Sequence, residues 1–282
     1  MTAGKDAHAA TLVAEGLARK LGFAAERPAL VSVGSNVVIR VAPEGPVARV
    51  SGLVDRVRDT REHFRRDVAL ARHLAAEGAP AVRPVEPAGP HEVAGRVVTF
   101  WEWVPPAAPP GGSEIGRALV ACHRALASYE GELPPLQRLL DEAVVVAGRG
   151  ALTAEDRSYV RVELLRVAER IAELGLPERP IHGDSGLGNV LTGPRWNDWE
   201  DASIGPAEWD LACLVTTARV QDQDGPRAEA ALMAAGGEPP EVFVRARALQ
   251  ATAWSSLAVK AGTTTPQRLA RRLAWLRERA VG

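Results

Sequence analysis

Cysteine is almost missing from this 282-residue chain: only Cys122 and Cys213 occur, each inside an apolar, helical-looking run. Two such residues make neither a disulfide framework nor a zinc site, and they read as small buried hydrophobes in a reducing cytosol. Long apolar runs are missing too. No stretch of about 18 apolar residues occurs and Met1 to Ala10 carries no apolar signal core, so the chain reads as neither secreted nor membrane-spanning but cytoplasmic. Charge of one sign is not in excess, the formal net charge being −1. A protein that neutralises many phosphates carries a basic surplus, so nucleic acid is not an expected partner. No G-x-x-x-x-G-K-[ST] is present, which excludes a P-loop, and Gly186-Leu-Gly188 lacks the G-x-G-x-x-G register of a dinucleotide loop. Neither an internal repeat nor an obligate protein partner is indicated.

What is present is an ordinary globular composition, 46% apolar and 24% charged, long enough for one large domain or two lobes. Ala10, Leu12, Val13, Leu17 and Leu21 stand at helical spacing and predict a helix over 8–22. From Leu30 the texture turns β-branched. Val31, Val33, Val37 to Val41 and Val47 to Val50, interrupted by Gly34-Ser35-Asn36 and Pro43-Glu44-Gly45-Pro46, predict three strands joined by turns. Phe64, Val68, Leu70, Ala71 and Leu74 predict a helix over 61–77, stopped by Gly78 and Pro80. After a Pro-rich connector, 96–104 reads as a strand and Pro105 to Gly112 as a break. Helices are then expected near 113–129, over 153–174, from Pro206 in a first turn to Val220, and over 226–236, 239–261 and 265–280, with Pro177 to Pro180 as a connector. The pattern divides the chain into a sheet-rich first lobe, 1–104, and a helical second lobe, 105–282. Arg268, Arg271, Arg272, Arg277 and Arg279 read as the solvated face of the last helix.

The stretch from Ile181 to Asp210 concentrates the chemistry. Asn189 follows Asp184 by five residues, a short strand 190–192 follows, and Asp198 lies beyond a turn through Gly193-Pro194. A loop and hairpin so arranged hold Asp184, Asn189 and Asp198 at one mouth. Asn189 and Asp198 supply oxygen ligands of the kind hard Mg²⁺ prefers, and Asp184 is left to orient an attacking hydroxyl and accept its proton. Metals on phosphates, a base Asp and an Asn five residues later form the parts list of phosphoryl transfer.

With these residues in place, the chain resembles the aminoglycoside phosphotransferase and choline kinase superfamily. His182-Gly183-Asp184-Ser-Gly-Leu-Gly-Asn189 is similar to its H-G-D-x-x-x-x-N loop, and Asp198-Trp199-Glu200-Asp201-Ala202 with Trp209-Asp210-Leu211-Ala212 to its metal motif and the helix after it. Asn197 stands where the family has an apolar residue before the metal Asp. The resemblance implies an α+β, bilobal protein-kinase-like fold, with an N-terminal antiparallel sheet lobe carrying one helix and a larger, mostly helical C-terminal lobe. It implies Mg²⁺ as cofactor and ATP or GTP as co-substrate. It further implies that Ser35, in Gly34-Ser35-Asn36, meets phosphate oxygens, and that Arg49 takes the place of the strand-three lysine, with Asp67 as its acidic partner. Glu102 and Val104, in Trp101-Glu102-Trp103-Val104, would offer backbone groups to the purine edge, and Asp210 would hold the catalytic loop.

The resemblance makes an antibiotic hydroxyl the leading acceptor. A sugar, an amino alcohol or a nucleoside is the alternative, because acids suited to a polycation are scattered: Asp222, Asp224, Glu229, Glu238 and Glu241. A kinase-like binder without turnover and a metal-dependent hydrolase built on His182, Asp184, Asp198 and Asp201 are the rival readings. The binder has only Arg49 in place of lysine as support, and the hydrolase accounts for neither the strand-rich first lobe nor the Trp-Glu-Trp-Val segment.

Overall fold

The structure, a computed structural model, describes residues 2–52, 55, 57–220 and 224–279. Its first part is built from α1 (Thr2–Lys20), β1 (Ala29–Val33), β2 (Asn36–Arg40), β3 (Val47–Ser51), α2 (Thr60–Ala76), β4 (His91–Val93) and β5 (Arg96–Trp101). The strands form one antiparallel sheet in the order β1-β2-β3-β5-β4. β-Branched residues on one face of β2 and β3, among them Val37, Ile39 and Val50, meet Ala10, Ala14 and Leu17 of α1 in a small core of their own. Helix α2 begins where the Asp59 carboxylate accepts the Glu62 amide at 3.3 Å. Its apolar face, Val68, Leu70 and Leu74, joins a second and larger core that runs on into the helical part.

That second part comprises α3 (Gly112–Leu126), α4 (Gln137–Arg149), α5 (Ala154–Glu173), β6 (Glu178–Ile181), β7 (Val190–Leu191), β8 (Arg195–Trp196), β9 (Ser203–Pro206), α6 (Glu208–Arg219), α7 (Gly225–Ala235), α8 (Glu241–Ala261) and α9 (Pro266–Glu278). β6 pairs with β9 and β7 with β8, both antiparallel, so two short ribbons bracket the segment rich in acids. Four features depart from the sequence reading. Helix α4 was not anticipated; the Pro177 to Pro180 connector is largely strand β6; and Pro206 closes β9, leaving Ala207 as the cap of α6. The strand read over 96–104 also stops at Trp101, and the short β4 pairs with it. Among the described residues no helix is long and apolar enough to cross a membrane.

Helices α3 and α7 touch backbone to backbone. A Cβ on Gly116 would sit 2.2 Å from the Ala231 carbonyl oxygen, whereas one on Gly148 of α4 would meet nothing within 4 Å. Gly116→Ala is therefore expected to destabilise by about 1–3 kcal/mol through overpacking. Gly148→Ala should instead stabilise by up to about 1 kcal/mol, because alanine is the better helix former. Urea denaturation of the two variants checks the opposite signs.

Candidate active site

The loop after β6 is shaped by its backbone. Gly183 adopts a left-handed φ of 84°, and a Cβ there would lie 2.1 Å from the Asp201 carbonyl oxygen, so only glycine fits. Asp210, buried in the first turn of α6, accepts the amides of His182 at 2.8 Å and Gly183 at 2.9 Å, and accepts His123 Nε2 at 2.7 Å. Burial alone would raise this carboxyl, but the His123 hydrogen bond leads a set of interactions that holds it below the usual carboxylate range. Trp209 Nε1 donates to the Gly183 carbonyl at 2.8 Å. His182 is fully buried; its Nδ1 accepts the Asp184 amide at 3.2 Å, and its Nε2 faces the Asn197 carbonyl at 3.0 Å, an assignment fixed by these partners. With both ring nitrogens engaged, it orients the loop.

The carboxylate of Asp184 is partly exposed at the cleft. Its Oδ2 accepts Asn189 Nδ2 at 3.0 Å, while its Oδ1 is paired with Arg247 of α8. Asn189 Nδ2 also donates to the Asp184 carbonyl at 2.8 Å, so its side-chain oxygen is the atom left for another partner. Asp198 has a left-handed φ of 69° and opens the short turn Trp199–Asp201. Its Oδ1 lies 2.6 Å from Arg49 Nη2, yet receives no directed hydrogen bond.

Arg49 is the centre of a buried charge cluster. It pairs with Asp67 of α2 through Nη1, with Asp198 through Nη2, and lies 3.8 Å from Glu200. Asp67 Oδ1 in turn accepts the Trp199 amide at 2.8 Å, which fastens α2 to the Asp198 turn. Burial, aided by Asp198, pushes the Asp67 carboxyl up to about 6 and the Glu200 carboxyl up to about 8. Glu200 is also held by Asn36 Nδ2 at 3.2 Å and faces Arg58 at 3.4 Å, and Arg58 lies 2.8 Å from Asp201. Among the described residues, His63, Glu142 and Asp201 also gather closely enough for a cation. Arg58 and Arg138 already neutralise that group, at 3.0 and 3.2 Å from Glu142.

Two cavities meet at this cluster. The larger, about 720 Å³, is lined by all eight candidate residues, Ser35, Arg49, Asp67, Glu102, Val104, Asp184, Asn189 and Asp198. The second, about 330 Å³, shares Gly34, Ser35, Asp184 and Asp198 with it and extends toward α8 and α9. The Glu102 amide donates to the Arg83 carbonyl at 2.9 Å and its side chain takes Arg195 at 2.8 Å, so the Glu102 carbonyl is the backbone group still open there. The sequence model of the phosphotransferase enzyme family matches residues 53–249. The chain belongs to this family. Among curated protein sequences nothing matches it.

The fold of this phosphotransferase-family chain is that of its solved relatives. The choline kinase LicA of Streptococcus pneumoniae superposes with a TM-score of 0.68 at 16% identity, over 96% of this chain and 98% of that one. A thermostable mutant of aminoglycoside phosphotransferase APH(4)-Ia, in ternary complex with ADP and hygromycin B, gives 0.61 at 16% identity over 95% and 99%. The GDP and kanamycin complex of APH(2")-IIia gives 0.61 at 15% identity over 90% and 93%. These likenesses extend to the bilobal architecture.

Several site residues escaped the sequence reading. Arg58 and Arg247 join the acidic cluster, as does Asn36, read only as part of the phosphate loop, and half-buried Arg272, read as solvated, lines the smaller cavity beside Arg268, which is exposed as read. Of the acids considered for an acceptor pocket, Asp224 pairs with Arg227 at 2.8 Å. Glu229 and Glu238 both grip Arg219, at 2.9 and 2.5 Å. None of these, nor Glu241, lines the smaller cavity. Asp222 lies outside the described residues.

Proposed function

We propose that the chain is a Mg²⁺-dependent small-molecule kinase that moves the γ-phosphoryl group of ATP or GTP to an acceptor hydroxyl. The observation that carries this reading is the convergence of Asp184, Asn189, Asp198 and the Arg49–Asp67 pair on one cleft that leads to the Trp101–Val104 segment. In this reading residues 1–104 form the nucleotide-binding lobe and 105–282 supply the catalytic loop and the acceptor site. The nucleotide occupies the larger cavity, its base against the Glu102 carbonyl and the Val104 backbone, its phosphates against Ser35 and Arg49.

Asn189 and Asp198 fit a magnesium ion: the Asn amide nitrogen is already engaged, so its oxygen is available, and the partly exposed Asp198 meets Arg49 through Oδ1, which leaves Oδ2 for a metal. Two protein oxygens suit an ion that keeps waters and phosphate oxygens as its other ligands. When bound, that ion supplies neutralisation of charge on the phosphates. Asp184 orients the acceptor hydroxyl and takes its proton as the oxygen bonds to the γ-phosphorus and the bond to the leaving nucleoside diphosphate breaks.

Two acceptor classes suit this site. An antibiotic hydroxyl, giving resistance by O-phosphorylation, is suggested by the relatives crystallised with hygromycin B and kanamycin. A compact metabolite is favoured by the size of the smaller cavity, about 330 Å³, and by Arg268 and Arg272 on its wall. The test is a panel of antibiotics, sugars, amino alcohols and nucleosides incubated with ATP or GTP and Mg²⁺. One acceptor is expected to gain about 80 Da, the mass of one phosphoryl group. Nucleotide-dependent thermal stabilisation with no transfer or hydrolysis would instead support a binder without turnover.

A further inference from the structure

The smaller cavity has two ends of different electrical character. At the catalytic end every acid has an arginine beside it. Asp184 is paired with Arg247, Asp198 lies 2.6 Å from Arg49, Glu200 3.4 Å and Asp201 2.8 Å from Arg58. At the far end α8, α9 and the loop between them contribute Ser255, Thr263, Thr264, Arg268 and Arg272, and no acid. Among the described residues no carboxylate lies within ion-pair distance of Arg268 or Arg272. Arg272 is fixed there by a 2.9 Å hydrogen bond from Nη1 to the Ala251 carbonyl. Its burial, with Arg247 and Arg268 close by, pushes its guanidinium down to about 10. The buried Nε of Arg247 has no hydrogen-bond partner. Uncompensated arginines in a partly buried wall repel one another, and planar guanidinium forks match a carboxylate or phosphate.

We infer that the acceptor is itself an anion, a compact hydroxyl compound whose carboxylate or phosphate group is held by Arg268 and Arg272 while its hydroxyl faces Asp184. This rests on the kinase reading for the hydroxyl and on the arginine wall for the anion. The cavity suits the size: about 330 Å³ is the room of roughly ten waters, enough for a monosaccharide acid. An anion at this end also stands beside Arg247, and competes with Asp184 Oδ1 for that guanidinium. The base would then be released when the correct acceptor arrives.

The experiment measures thermal stabilisation of the full chain without nucleotide by D-gluconate, glucose 6-phosphate, D-glucose, choline and kanamycin. Phosphotransfer to each from ATP and GTP is measured in parallel. Stabilisation by gluconate or glucose 6-phosphate and not by glucose is expected, and which of the two acts tells carboxylate from phosphate. Arg272→Gln and the exposed Arg268→Glu should each weaken that response, and lower kcat/KM for the anion by about 10- to 100-fold with the nucleotide KM unchanged. Arg268→Glu keeps the test valid if Arg272→Gln fails to fold. No response to either anion, an equal response from glucose, or a response untouched by Arg268→Glu overturns the inference. Anion binding without any transfer would leave the arginine wall standing and sink the kinase reading. Transfer to kanamycin or choline with no anion response would do the reverse.

Discussion

Asp184→Ala is expected to lower phosphotransfer by about 10²- to 10⁴-fold, the contribution of a well-placed general base. Two losses combine in that number. The hydroxyl loses its proton acceptor, and Asn189 loses the Oδ2 that fixes its amide nitrogen at 3.0 Å, so the oxygen offered to magnesium is no longer held. Fold and nucleotide binding should survive. The Asp184 carboxylate is partly exposed, the loop stays fastened by Asp210 through the His182 and Gly183 amides, and Arg247 keeps Gln250 as a partner. The check is turnover at saturating acceptor beside the melting shift given by nucleotide. A folded variant with full turnover would remove Asp184 from the mechanism.

Replacing Arg49 should act first on stability. Its guanidinium faces three carboxylates, Asp67, Asp198 and Glu200, and the first and last of these are buried. Removing one partner of a buried ion pair costs about 3–5 kcal/mol, because the charge left behind has no water to replace it. Arg49→Ala is expected to lower unfolding free energy by that amount in magnesium-free urea melts. Arg49→Lys should cost less, since one point charge can meet Asp67, but it loses the second nitrogen that reaches Asp198. A double-mutant cycle with Asp67→Asn should show strong coupling. A loss under about 1 kcal/mol for Arg49→Ala would mean that water or a cation already screens the cluster.

The sheet was legible because β2 and β3 carry β-branched residues between turn signals, and the catalytic loop was legible because its spacing is local. Five residues from Asp184 to Asn189 leave the chain few ways to bend. Helix α4 was hidden because Val144-Val145-Val146 favours strand, while its helical face rests on Leu139, Leu140 and Ala143. Pro206 satisfies the rules for a helix start, and only its pairing with Glu178 makes it a strand end. Apart from Arg49, the site arginines were not legible. Arg247 stands 63 residues from the Asp184 it pairs with, and an isolated arginine in a helix gives no sign of which face will be buried. Arg272 was taken for solvent-facing charge for the same reason, whereas Arg268 is exposed as read and still reaches the rim of the smaller cavity.

Asp67 accepts the Trp199 amide at 2.8 Å, and Arg66 beside it donates to the Glu200 carbonyl at 2.8 Å. Helix α2 is thus bonded to the turn that follows Asp198, and its apolar face belongs to the same core as α3 and α6, not to the one shared by α1 and the sheet. Local opening follows such core boundaries. That boundary sets off α1 and one face of the sheet, whereas β2 and β3 stay tied to the acidic turn through Asn36–Glu200 and Arg49–Asp198, so α2, these strands and the turn are expected to hold together from one turnover to the next.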